Sequence, residues 1–128
     1  MDDRFGFVIL NYRTMDETMD CVKSIDEHIR EAHEIVIVDN ASPDGSGEKL
    51  RQVYDGRDDI KVIINADNLG YSCGNNAGIK QARLDGCRYV VVLNSDTKVM
   101  QDEFCDIVRQ EYMNAALHKR IEKEGLYV

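Results

Sequence analysis

Ile35-Val36-Ile37-Val38-Asp39-Asn40 is a run of four β-branched residues stopped by two polar ones. Its apolar residues are consecutive rather than alternating, which is the pattern of a strand buried on both faces, as parallel strands between helices are. Three other runs share the form: Phe7 to Leu10 before Asn11, Ile60 to Ile64 before Asn65, and Tyr89 to Leu93 before Asn94. Amphipathic stretches separate them. In Thr14 to Arg30, Met15, Met19, Val22, Ile25 and Ile29 recur at helical spacing, and Thr14 with Glu17 has the form of a capping box. Ser42 to Gly47 has turn chemistry, and Glu48 to Tyr54 follows as a short helix. Ala77 to Leu84 is predicted as the core of another helix. Asp102 to Lys123 is predicted as a long one, with Phe104, Ile107, Val108, Tyr112 and Ala115 on one face.

Strand–helix alternation of this kind predicts an α/β fold, a mostly parallel sheet with helices on both faces. The whole chain, 1–128, is expected to form a single domain, with 103–128 as a C-terminal helix and tail. A length of 128 residues suits one domain with a real core. With 24 acidic against 16 basic residues the charge is −8, which argues against a sequence-independent nucleic-acid binder. No apolar run approaches the length of a membrane span, so any membrane association would come without one. Met1-Asp2-Asp3-Arg4 is acidic and no long apolar stretch follows, so no secretory leader is expected. Cys21, Cys73, Cys87 and Cys105 are scattered without CxxC pairing, and Cys21 and Cys105 fall in helices as small apolar residues. These features point to a cytoplasmic, reduced protein.

The ends of the strands carry the functional information. Carboxyl ends of parallel strands line the crevice where open α/β sheets bind ligands. Asn11, Asp39, Asn65 and Asn94 would therefore converge on one edge, followed by more polar residues in Asp39-Asn40 and Asn94-Ser95-Asp96. A carboxylate at Asp96 could hold a divalent cation and, through it, a diphosphate; a turn or cap carboxylate is the plainer use of the same residue. Asn65 to Gly78 is dense in Gly and Asn, which suits close backbone approach and a helix N-terminus that favours anions. It is not a Walker loop, since no Lys-Ser/Thr follows the glycines. The turn Asn11-Tyr12-Arg13-Thr14 contains no glycine, which removes the dinucleotide fingerprint.

Taken in order, Val8-Ile9-Leu10-Asn11-Tyr12, Ile35 to Ser42, Asn68-Leu69-Gly70 with Asn75-Asn76-Ala77-Gly78, and Val92-Leu93-Asn94-Ser95-Asp96 resemble the motifs of family 2 glycosyltransferases. The likeness runs from about Phe7 to about Asp102 and is nearest in flavour to rhamnosyltransferase-like members. It implies the nucleotide-binding half of the GT-A fold and a nucleoside-diphosphate sugar as ligand, with a UDP- or dTDP-sugar suiting the acid at Asp39. Asn11 and Tyr12 match positions that hold base and ribose. Asp39 matches the acid that hydrogen-bonds the base. Asn68 and Gly70 match the loop flanking the donor, and Asn75 the start of the helix beneath it. Asp96 matches the acid that ligates Mg²⁺ or Mn²⁺ at the donor diphosphate, where the cation neutralises charge on the leaving group. Asn94 stands where many members have a second acid; a neutral amide adds no negative charge, so weaker metal affinity is expected.

The resemblance also implies inverting transfer of the sugar to a saccharide or lipid-linked acceptor, which needs a general base. In the family that carboxylate lies in an acceptor-binding half after the metal motif. Asp102, Glu103, Asp106 and Glu111 match no base motif and read as solvated helix charges, so no catalytic base is assigned. His28, His33 and His118 form no ligand-spaced pair and read as surface residues. The alternative is a catalytically incomplete nucleotide-sugar-binding or assembly module. The apolar ending Leu126-Tyr127-Val128 could then seek a partner, a homodimer included. A phospho-receiver domain fails on placement: it wants adjacent acids after the first strand and an Asp ending the third, where this chain has Asn11-Tyr12 and Asn65.

Overall fold

The computed structural model describes residues 4–68 and 70–124, with side chains described through Ala115. Leu69 and the ending Leu126-Tyr127-Val128 lie outside the described residues, as does the side chain of His118. The chain alternates without exception: β1 (Phe5–Asn11), α1 (Met15–His28), β2 (His33–Asp39), α2 (Ser46–Val53), β3 (Ile60–Ile64), α3 (Gly70–Leu84), β4 (Tyr89–Asn94) and α4 (Phe104–Glu124). The four strands form one sheet in the order β3-β2-β1-β4, every neighbour parallel.

This order places the crevice of the sheet. From β1 the chain steps outward through β2 to β3, then α3 carries it back across the sheet to β4 on the other side of β1. The direction of winding therefore reverses between β1 and β4, and such switch points leave a crevice at the carboxyl ends of the strands. Register brings the strand ends level: Asn11 lies opposite Asp39, and Leu10 opposite Asn94.

Helices cover both faces, as the continuous apolar strands require. On one face Phe5, Phe7, Ile9, Ile35 and Ile37 pack with Val22 and Ile25 of α1, Leu50 of α2 and Cys105 of α4. Phe5 stacks on Tyr89 with centroids 4.9 Å apart, and Phe7 meets Phe104 at 6.0 Å. On the other face Val8, Val36 and Val38 pack against Ala82 and Ile79 of α3. Burial of each such side chain contributes roughly 1.5–3 kcal/mol before the entropy of ordering is subtracted.

Three sequence expectations are corrected. First, α3 begins at Gly70, well before Ala77, so Asn75 lies inside the helix and not at its start. Gly70, Gly74, Asn75, Asn76 and Gly78 are poor helix formers, and tertiary contact holds them. A Cβ on Gly78 would come within 2.5 Å of Val8 Cγ1 and 2.7 Å of Val38 Cγ2, so the glycine lets the helix lie directly on the sheet. Second, Thr14 precedes α1 but makes no side-chain cap; its hydroxyl donates to Asn11 Oδ1 at 3.3 Å. Third, the outer strands are not sealed on both faces: Val92 is 37% exposed, and β3 is mostly half-buried. Both are edge strands, and α3 lies chiefly over β1 and β2. Tyr112 of α4 attends to the β4 edge, its hydroxyl lying 3.2 Å from Val90 N and 3.4 Å from Val90 O.

Candidate functional site

Asn11 closes β1 and is wholly buried. Its Nδ2 donates to Asp39 Oδ1 at 2.8 Å and Ser46 Oγ at 2.9 Å, with Ser42 Oγ at 3.4 Å. Its Oδ1 accepts from Thr18 Oγ1 at 2.8 Å. One carboxamide thus ties together the ends of β1 and β2 and the starts of α1 and α2. Its side chain is spent inside the protein, and Asn11 acts on the surroundings through Asp39 and Ser42.

Asp39 is 2% exposed and held from three sides. Oδ1 accepts from Asn11 and, at 2.6 Å, from Ser42 Oγ, while Oδ2 accepts the Ser42 backbone N–H at 3.1 Å. Gly47 lies against it: a Cβ there would overlap Oδ2. The loops on either side are bent tightly, with Arg13 at φ 59° and Ala41 at φ 61°, left-handed conformations that L residues rarely adopt. The Arg13 N–H donates to Ser42 Oγ at 2.9 Å, so the two strained loops are bonded to each other.

Asn40 joins this end of β2 to the start of α3. Its Nδ2 donates to Asn68 Oδ1 at 2.9 Å and Gly70 O at 3.2 Å, and Asn68 Oδ1 also accepts the Gly70 N–H at 2.9 Å. Asn68 and Gly70 therefore set where α3 begins. Asn75, one turn further along, is 3% exposed, and neither its Nδ2 nor its Oδ1 has a hydrogen-bond partner. Helical spacing puts it in the row of Tyr71 and Ile79. A buried carboxamide left unbonded costs stability unless a ligand or water completes it.

Between β1 and β4, at the switch point, lies a cleft of about 300 Å³ with Leu10, Tyr12, Thr14, Glu17, Tyr71, Asn94, Ser95 and Asp96 around it. Tyr12 is 39% and Tyr71 52% exposed, and Asp96 is open to solvent. The Thr97 N–H donates to Asn94 O at 2.9 Å, closing a turn that carries Asp96. The Tyr71 hydroxyl donates to Asn94 Oδ1 at 2.6 Å. Tyr12, Asn94 and Asp96, singled out in the sequence, thus share one cleft. Asn11 and Asp39 stand behind the β1 end, Asn68 and Gly70 hold the α3 start, and Asn75 lies within α3. Sequence reasoning missed Ser42 and Gly47, which pack on nearby Asp39, and Ser46 and Tyr71, whose partners Asn11 and Asn94 lie 35 and 23 residues away.

Cys73 is exposed on α3, and the other three thiols are buried and unreactive. Burial, with the Asp96 charge adding to it, pushes the Cys21 thiol up to about 11, and burial takes Cys87 and Cys105 to about 12. At the opposite end of the sheet Asp26, His33 and Asp59 come together, but Arg57 already fills that position. Its guanidinium bonds both Asp26 oxygens at 2.9 Å and both Asp59 oxygens at 2.8–2.9 Å. His33 is half-buried, edge-on to Phe7, where the sequence suggested a surface residue. His28 pairs with Asp102 at 2.8 Å.

Known proteins are similar to this chain in sequence and in fold. In Haloferax volcanii the low-salt glycan biosynthesis hexosyltransferase Agl10 is 31% identical over 132 residues, covering all of this chain and 40% of that protein. Poly-β-1,6-N-acetyl-D-glucosamine synthase of Staphylococcus aureus is 32% identical over 96 residues, covering 75% of this chain and 22% of its own. Among solved structures, residues 1–349 of S. aureus TarS in complex with UDP superpose with a TM-score of 0.68 at 20% identity, covering 84% of this chain and 31% of that one. The mannosyltransferase PcManGT from Pyrobaculum calidifontis, in complex with GDP-Man and Mn²⁺, gives 0.66 at 18% identity, covering 80% and 30%. The chain spans less than half the length of each of these proteins. The family model described as glycosyl transferase family 2 matches residues 7–112, and with the parallel α/β sheet and the strand-end motifs in their order, the chain belongs to that family.

Proposed function

We propose that the cleft between β1 and β4 binds the nucleoside diphosphate of a sugar donor, and that the protein transfers that sugar to a saccharide or lipid-linked acceptor. The observation that carries the reading is the composition of the cleft at the switch point, an exposed aromatic, Tyr12, and an exposed carboxylate on a tight turn, Asp96; the buried carboxylate of Asp39 stands outside the cleft lining, at the end of β2 beside β1. The Tyr12 face suits stacking on a base. Asp39 Oδ2 has a lone pair left beyond the Ser42 N–H, and the missing Cβ of Gly47 lets the carboxylate sit against the start of α2. A carboxylate can only accept, which suits the imide N–H of uracil or thymine, and a UDP- or dTDP-sugar is the donor proposed.

The cleft also bears on the cation. Glu17 and Asp96 line it, and none of its described lining residues is basic. A diphosphate entering such a site meets like charge unless a divalent ion comes with it. Asp96 would hold Mg²⁺ or Mn²⁺, with the phosphates completing an all-oxygen shell. When bound, the ion supplies charge neutralisation at the leaving diphosphate. Asp39 orients the base, Asn11 and Ser42 hold Asp39, and Asn75 offers its unbonded carboxamide to the ligand or to water beside it. The alternative is a nucleotide-sugar-binding or assembly module, since no described residue matches the base that acceptor deprotonation needs.

Titration calorimetry with UDP, dTDP and GDP, each with Mn²⁺ or with EDTA, tests the reading. Binding of UDP and dTDP strengthened by Mn²⁺ is expected, and Asp96→Ala should remove the strengthening while leaving residual nucleotide binding. Failure of every nucleotide to bind in either condition overturns both the transferase and the module. A transfer assay on the full-length protein with the preferred sugar nucleotide then separates those two.

A further inference from the structure

We propose that Tyr71 is a positioning residue that commits Asn94 to donate an N–H to an acceptor oxygen of the bound nucleotide, leaving Asp96 as the protein's anionic ligand for the cation. The inference rests on the nucleotide reading above and concerns how the cleft is polarised. An asparagine side chain offers a carbonyl edge and an N–H₂ edge, and the one that faces a ligand decides its role. The Tyr71 hydroxyl donates to Asn94 Oδ1 at 2.6 Å, a short O–H···O bond. With its carbonyl edge taken up by a phenol, Asn94 presents its amide hydrogens to whatever occupies the cleft they share.

The two groups are fixed independently, so the bond is a device and not a chance surface contact. Tyr71 stands on the first turn of α3, whose start is bonded to β2 through Asn40 and Asn68 and whose Gly74 and Gly78 rest on Leu10, Val8 and Val38. Asn94 is held by the parallel pairing of β4 with β1 and by the turn bond from Thr97. Both side chains are exposed, and an exposed hydrogen bond adds little net stability because water competes for both partners. Its consequence is orientation. In a cleft lined by Glu17 and Asp96, an N–H donor is also the polar group most favourable to a ligand of negative charge.

A double-mutant cycle tests this: wild type, Tyr71→Phe, Asn94→Ala and the double variant are titrated with UDP and with uridine, in Mn²⁺ and in EDTA. Tyr71→Phe keeps the ring and loses only the hydroxyl. It should weaken UDP binding about fivefold in both conditions, Asn94→Ala about tenfold, and the double variant no more than Asn94→Ala alone. A loss confined to UDP assigns the acceptor to phosphate; an equal loss with uridine assigns it to the nucleoside. Asn94→Asp keeps an acceptor for Tyr71 but has no N–H₂ and adds a negative charge, and should weaken metal-free UDP binding at least as much as Asn94→Ala. The proposal is overturned if Tyr71→Phe has no effect, if its effect persists undiminished beside Asn94→Ala, or if Asn94→Ala abolishes the Mn²⁺ enhancement, which would make Asn94 a cation ligand. Wild type that binds UDP while any of these holds leaves the nucleotide reading intact; wild type that binds no UDP overturns both.

Discussion

Asn11 and Asp39 meet at 2.8 Å across the ends of β1 and β2, and this buried pair is the hinge of the site at the scale of single residues. Asn11→Leu keeps the volume but deprives a buried carboxylate of a donor; the loss should cost about 3 kcal/mol in urea denaturation. Asn75→Leu should do the opposite to stability. It replaces an unbonded buried carboxamide by an apolar group, so the free energy of unfolding should rise by about 1 kcal/mol while UDP affinity falls. A rise in stability with unchanged UDP binding would remove Asn75 from the site. The sequence marks Asn11, Asp39, Asn94 and Asp96 because each follows an apolar run. It cannot say which way a side chain turns: Asn11 faces inward to Ser46, and Asn94 outward to Tyr71, because of partners 35 and 23 residues away.

Among the elements, α3 shows how tertiary contact overrides local preference. Helical periodicity is plain from Ala77 onward, whereas the glycines and asparagines of the first two turns conceal the start at Gly70. Those same glycines let the helix sit on β1 and β2. Gly78→Ala improves intrinsic helix propensity by about 1 kcal/mol, yet its Cβ would press on Val8 and Val38. The overpacking should prevail, with a net loss of about 1–2 kcal/mol. Lys80→Ala, on the exposed side of the same helix, should be neutral within about 0.5 kcal/mol. Strand positions were easier to read because consecutive β-branched residues carry their own signal. The exposure of Val92 was not legible, since it follows from β4 being an edge, a property of strand order and not of the strand.

For the whole molecule, the two ends of the sheet handle charge differently: the proposed nucleotide cleft lies at one and a buried carboxyl at the other. At the far end Glu34 is 2% exposed, and burial, with Asp85 nearby, raises its carboxyl above the ordinary range, although Cys87 Sγ lies 3.2 Å from Oε1. Below the ordinary Glu range both folded and unfolded chains hold this group protonated. Above the raised folded value both hold it ionised, and only there is the full cost of burying the charge felt. Stability should therefore fall as pH rises through that window, and Glu34→Gln should stabilise the protein more at pH 7 than at pH 4 in thermal denaturation. At the cleft end, fold class and the order of motifs were legible in the sequence, because alternation and strand-end polarity survive in one dimension. The cleft and the absence of basic residues from its described lining were not, because they arise where β1 and β4, some 80 residues apart, become neighbours. The central claim is that this cleft takes the nucleotide. Its most direct test is amide chemical-shift mapping of the ¹⁵N-labelled chain titrated with UDP and Mg²⁺. The account predicts perturbations concentrated at Tyr12, Asn40, Tyr71, Asn94 and Asp96; perturbations centred instead on the outer face of α3, around Lys80, Arg83 and Leu84, or none at all, would contradict it.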